Sequence, residues 1–213
     1  TAPKLKLDSP FNPDHLLILH QEEIKTTYRH RSESIQAISD SLKTLVEARP
    51  GNYLFFFPSY QFLNEVYEFT KDWDRHGLVQ SPTMTPKGRR DFLDQFRENN
   101  DVHGYVVMGG IFSEGIDLVG EDLVGGVIIS LGLPGLSPER ELMKVNFNQK
   151  GLPGYDYTYT IPGLVKVIQS AGRIIRSHED RGILILMDQR YSQVKIRNLL
   201  PDSWKIQRVR GRE

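Results

Sequence analysis

Three groups of residues in this chain have types and spacings that could do chemistry. The first is Gln169, Arg173 and Arg176, set four and three residues apart in a stretch that also holds Leu164, Val165, Val167, Ile168, Ala171, Ile174 and Ile175. On a helix, at roughly 100° per residue, the three polar side chains fall within about 60° of one another. Two guanidiniums converging on one face suit an anion with several oxygens, such as a phosphate. Gly172, beside them, would let another chain or a ligand come close. The alternative is a solvated face paired with Glu179 and Asp180, and spacing alone leaves both open.

The second group follows the apolar run Tyr105–Met108: Gly109-Gly110-Ile111-Phe112-Ser113-Glu114-Gly115-Ile116-Asp117. Its glycines free the backbone for close approach, and Glu114 and Asp117 flank the bend. Loops after parallel strands are where open α/β sheets bind ligands. A tight turn with solvated acids reads equally from these residues. The third group is Phe57-Pro58-Ser59-Tyr60. Here Ser59 caps a helix whose first amides point outwards, a generic phosphate site or an ordinary N-cap with a packed tyrosine.

These groups need elements to position them. The runs Leu16–Leu19, Tyr53–Phe57, Tyr105–Met108, Val127–Leu131 and Ile183–Met187 are continuously apolar, as strands buried on both faces are. Helices are expected from Ser32 to Ala48, after Ser59, after Thr85-Pro86, after Ser137-Pro138, from Pro162 to about Arg176, and from about Tyr191 to Leu200. Gln149–Tyr159 reads as a surface loop, and the basic stretch from Lys205 as a frayed or linking tail. The alternation predicts an α/β fold: a three-layer domain with a mostly parallel central sheet, over residues 1–204, with a tail at 205–213.

Composition bounds the rest. In 213 residues, 27 basic and 27 acidic side chains cancel, and 38% are hydrophobic, as in a soluble globular domain rather than a disordered or fibrous one. No apolar run approaches the roughly 20 residues that span a bilayer. The absence of cysteine excludes disulfides, thiolate metal sites and thiol catalysis, and fits a cytoplasmic protein. The histidines show no metal-site spacing, so no metal is expected on this chain. No glycine precedes a lysine and no two glycines are two apart, so neither a P-loop nor a G-x-G-x-x-G is present. Ser113 does not fit the G-x-S-x-G nucleophile elbow.

Taken together and in order, these segments resemble the second RecA-like lobe of superfamily 2 helicases, most closely the DinG/XPD family of DNA helicases. Phe57-Pro58-Ser59-Tyr60 is similar to motif IV, Ser113-Glu114-Gly115-Ile116-Asp117-Leu118 to motif V, and Gln169-x-x-Gly172-Arg173-x-x-Arg176-Ser177 to motif VI. Asp180-Arg181-Gly182 and Asp188-Gln189-Arg190-Tyr191 resemble the stretch after motif VI. Ser9-Pro10-Phe11 resembles the start of this lobe, and Leu200-Pro201-Asp202-Ser203-Trp204 its end.

The resemblance implies an ATP-dependent DNA helicase, associated with DNA repair and with the nucleoid if prokaryotic. In the family, ATP and Mg²⁺ are bound mainly by a first lobe, which carries the P-loop and any iron–sulfur cluster. Arg173 and Arg176 would then be arginine fingers, and Gln169 would position the nucleotide or the attacking water. Gly115, Asp117, Glu114 and Gly172 would sense the nucleotide. Ser59, Tyr60, Gly110 and Ser113 would meet single-stranded DNA, with family polarity 5′ to 3′. The chain alone is expected to turn over no ATP. Two rivals stay open: a non-catalytic α/β interaction domain, and the lobe of another superfamily 2 translocase.

Overall fold

The computed structural model describes residues 12–113, 118, 120–175 and 179–209. The continuously apolar runs become the centre of a sheet covered on both faces. Its strands are β1 (Leu16–Gln21), β2 (Tyr53–Phe57), β3 (Gly77–Val79), β4 (His103–Val107), β5 (Gly125–Ile129), β6 (Gly182–Met187) and β7 (Ile206–Val209). They pair in the order β3-β4-β2-β5-β6-β1-β7, and every pairing is parallel. All carboxyl ends therefore lie on one edge, where the sequence places its loops of interest.

Helices α1 (Arg31–Ala48), α2 (Tyr60–Thr70), α3 (Pro86–Glu98), α4 (Pro138–Gln149), α5 (Ile161–Ala171) and α6 (Val194–Arg197) connect the strands. The caps act as expected: Ser59, Thr85 and Ser137 accept from the amides of Phe62, Gly88 and Arg140. Alternation along β2 divides the core in two. Tyr53, Phe55 and Phe57 pack with Ile38, Leu42, Phe62 and Val66 under α1 and α2. Leu54 and Phe56 pack with Phe92, Phe96, Leu164 and Val167 under α3 and α5. These two layers enclose the sheet. Among the described residues no helix is long and apolar enough to cross a membrane.

Four expectations need correction. The stretch after Lys205 is not a frayed tail, because Ile206–Val209 pairs with β1 and extends the sheet past residue 204. An outermost strand with only Ile206 turned to the core carries too short a pattern to read. The expected loop at Gln149–Tyr159 includes a π-helical turn, Asp156–Thr160, that runs into α5. The last expected helix shrinks to a 3₁₀ turn at Gln189–Ser192 followed by α6. Finally, α5 does not continue to Arg176. It stops at Ala171 with Gly172 as its C-cap, and the amides of Arg173 and Ile174 bond back three residues, to Ser170 and Ala171. Glycine is a poor helix former, and a tightened last turn is a common ending.

Candidate nucleic-acid and nucleotide interface

The carboxyl edge is built from the turn after β2, the residue after β3, the turn after β4, and the first part of α5. That helix then crosses the sheet, so that Ile174, just past its end, meets Gly126 and Gly182 near the amino ends of β5 and β6. Ser59 and Tyr60 are both half-buried, and the Phe62 amide donates to Ser59 Oγ at 3.3 Å. This leaves the first amides of α2 facing outwards, where the helix dipole favours an anion. The turn after β4 is tight: the Gly110 amide bonds the Val107 carbonyl at 3.0 Å, and Gly109 takes a φ of +70°. A side chain at Gly109 would be strained there and would also press on the Lys166 stem at 3.1 Å.

Gln80, the residue after β3, joins the two turns. Its Nε2 donates to the Tyr60 hydroxyl at 2.8 Å, and its Oε1 accepts from the Val107 amide at 2.8 Å. A Cβ on Gly110 would stand 3.1 Å from Gln80 Nε2, so the glycine lets the Gln80 amide approach. The sequence offered no sign of this: a lone glutamine next to a short edge strand has no motif.

Ser113 continues the network inwards. It is fully buried, and its hydroxyl accepts from the Gly109 amide at 2.8 Å. It also lies 3.3 Å from the hydroxyl of Ser170, itself fully buried on α5. Ser113 thus holds the turn closed from beneath, with Gly109 exposed and Gly110 half-buried above it. Ser170, like Gln80, carries no sequence signal.

On α5, Val165, Gln169 and Gly172 are exposed and lie three and four residues apart, so they form one open stripe. A Cβ on Gly172 would meet nothing nearer than the Ile168 carbonyl at 3.4 Å, so no element described here crowds that surface. Arg173 sits half-buried in the turn beyond. The structure therefore keeps Gln169 and Gly172 on one face and places Arg173 just past the helix end rather than on it. Arg176, Glu114, Gly115 and Asp117 lie outside the described residues. Lys166, on α5 beside the β4 turn, has its pKa pushed down by burial, with nearby Arg140 adding to the decrease. Among the described residues no group of His, Asp or Glu could hold a metal ion.

A second polar cluster sits at the carboxyl ends of β1, β5 and β6. Asp188 is fully buried and forms a bidentate pair with Arg190, Oδ1 to Nε and Oδ2 to Nη2, both at 2.8 Å. The Thr26 hydroxyl donates to Asp188 Oδ2, and His20 Nε2 donates to the Asp188 carbonyl at 2.9 Å. Arg190 Nη2 reaches Ser130 Oγ at 3.3 Å, and the Tyr191 hydroxyl donates to the Ser130 carbonyl. Ser130 holds a φ of +87°, unusual for a non-glycine residue, and these bonds fix it. The Asp188–Tyr191 stretch singled out in the sequence thus clamps three strand ends.

Known proteins resemble this chain in sequence and fold. Residues 42–207 match the family model for the helicase C-terminal domain. An ATP-dependent DNA helicase, YoaA of Haemophilus influenzae, is 28% identical over 188 residues, covering 86% of this chain and 28% of that protein. A regulator of telomere elongation helicase 1 homolog of Aedes aegypti is 26% identical over 206 residues, covering 86% of this chain and 20% of that protein. A solved XPD helicase structure superposes with a TM-score of 0.75 at 21% identity, covering 92% of this chain and 35% of that one. The chain thus spans a third or less of the length of these two relatives.

Proposed function

Because the chain belongs to the helicase C-terminal domain family, we propose that it is the second motor lobe of an ATP-dependent DNA helicase that moves along single-stranded DNA and unwinds duplex. The observation that carries this reading is the continuous polar path across the carboxyl edge. It runs from Tyr60 through Gln80 to the β4 turn, and from Ser113 to Ser170 on α5, beside Gln169. A motor must let events at a nucleotide alter the grip on a strand. This path would tie the segment proposed to touch phosphates to the helix proposed to face a nucleotide.

In this reading the exposed Val165–Gln169–Gly172 stripe faces a first RecA-like lobe, with ATP between the two. Arg173, and Arg176 from the segment not described, would neutralise charge developing on the transferred phosphoryl group. Gln169 would orient the nucleotide or water, and Glu114, Gly115 and Asp117 would register its presence. As in the family that the chain resembles, ATP and Mg²⁺ would be held mainly by the first lobe. The first amides of α2, Tyr60 and the Gly109–Gly110 backbone would hold strand phosphates, which carry no base identity. Movement would follow the family's 5′ to 3′ direction.

The test is Arg173→Ala in the full-length helicase. An arginine finger contributes about 10³-fold or more to turnover, so DNA-stimulated kcat falls by that order while ATP affinity stays within a few-fold. Hydrolysis at the normal rate would remove the finger assignment.

A further inference from the structure

The turn between β1 and α1 carries an exposed ring and positive charge on the same edge as the strand-facing segments. From Lys25 to Arg31 the sequence is Lys-Thr-Thr-Tyr-Arg-His-Arg, with no acidic residue. Tyr28 is 81% exposed, the most exposed aromatic side chain among the described residues. The other exposed tyrosines lean on partners: Tyr155 against Tyr159 and Tyr157 against Phe147. Tyr28 contacts no other described ring and has instead the Arg31 guanidinium, 5.9 Å from its centroid.

The turn is held rigidly despite this exposure. The Thr26 hydroxyl donates to buried Asp188, Arg31 Nε donates to the Thr26 carbonyl at 3.2 Å, and Ser34 Oγ donates to the Lys25 carbonyl at 2.7 Å. Thr27 Oγ1 lies 2.8 Å from His30 Nδ1. Arg31 also lies 4.9 Å over the ring of Phe62, whose amide caps onto Ser59. The exposed ring, the guanidinium and the α2 turn are therefore in a row. These bonds order the turn around Tyr28, so its exposed ring stands on a held backbone beside Arg31.

We propose that Tyr28 is a base-stacking platform for single-stranded DNA, with Lys25, Arg29 and Arg31 holding the adjoining phosphates, so that the strand track continues from α2 onto the β1–α1 turn. This rests on the reading of the carboxyl edge as the strand-binding face. Aromatic faces stack any base, and cations beside them neutralise the backbone, the combination that binds single strands without sequence preference. Because the turn is already ordered, little conformational freedom is lost on binding.

Fluorescence anisotropy of the chain with a labelled thymidine 15-mer, and with an abasic 15-mer of equal charge, tests this. Stacking of one base predicts that Tyr28→Ala weakens the thymidine strand about fivefold or more and leaves the abasic strand within about twofold. Tyr28→Trp restores thymidine binding. Arg29→Ala weakens both strands alike and lowers the salt slope by about 1. A ring this exposed is not needed for folding, so the melting temperature of Tyr28→Ala stays that of wild type. Equal thymidine affinity in Tyr28→Ala, or equal loss on both strands, overturns the platform and leaves the strand-face reading standing. If wild type binds neither strand at low salt, both fall.

Discussion

Two buried amides, one at each edge of the sheet, show how differently the same side chain can be used. Asn52, just before β2 on the amino edge, is fully buried and makes four hydrogen bonds. Its Nδ2 donates to the carbonyls of Phe96, Asn99 and Asp122, and its Oδ1 accepts from the Val102 amide. Every partner is backbone, so Asn52 locks loops together and faces nothing outside. Gln80, on the carboxyl edge, is nearly as buried but joins one backbone amide to the hydroxyl of half-buried Tyr60. The amino edge spends its polar groups on closure. The carboxyl edge links segments that keep a surface. The buried Asp74 fits the same division: it accepts from His103 Nδ1 and the Tyr105 hydroxyl, two residues of β4, and holds them in place.

The sharpest break of this comparison is Asn52→Ala. It strands the Val102 amide and three carbonyls in the interior, and unsatisfied buried groups cost about 1–3 kcal/mol each, so a loss of about 4 kcal/mol is expected after partial relaxation. Urea unfolding measures it. The folded fraction should bind a thymidine 15-mer as wild type does. A loss below about 1 kcal/mol would mean that the amino edge is not held as described.

Gln80→Leu is the matching change on the other edge. It removes one amide partner and one hydroxyl partner, for about 2 kcal/mol of stability. Its distinctive outcome is functional: strand affinity should fall several-fold although Gln80 is only 2% exposed and cannot touch a ligand. Asp74→Asn on the amino edge, run alongside, should leave strand affinity unchanged. If Gln80→Leu unfolds more easily yet binds normally, the path from Tyr60 to the β4 turn is structural only.

Much of this was legible from the residues because its causes are local. β2 is apolar at every position since both its faces are covered, and the caps at Ser59, Thr85 and Ser137 each satisfy an amide three residues on. α5 ends at Gly172, but Ile174 and Ile175 continue the helical apolar spacing past it, so spacing alone carries the helix to Arg176. Gln80 was not legible because its partners lie 20 and 27 residues away in sequence. Ser170 meets Ser113 across 57 residues. β7 was missed because an outermost strand shows the core one side chain. Tyr28 was passed over because exposure is a property of the packed molecule, and the same sequence would read equally well if the ring were buried.

The smallest effect lies at the carboxyl ends of β1 and β6, and it sharpens the comparison through pH. His20 is 1% exposed, and burial pushes its pKa below the ordinary 6.5, more than the Asp188 carbonyl and Glu22 push it up, with Arg208 and Arg197 adding to the decrease. The folded state therefore favours the neutral ring, whose Nε2–H donates to the Asp188 carbonyl. Above pH 6.5 neither folded nor unfolded chain carries this proton and the contribution is fully present. As pH falls below 6.5 the unfolded chain protonates first, and stability drops until the lowered folded pKa is passed. His20→Phe should flatten that part of the curve below pH 6.5, measured by urea unfolding at each pH. Because His20 bonds the residue that also anchors Thr26, the same acid window should loosen the β1–α1 turn before it affects the amino edge. Faster amide exchange at Thr26–Tyr28 than at Val102–Tyr105 as pH falls would bear this out, and equal acceleration at both edges would erase the distinction between them.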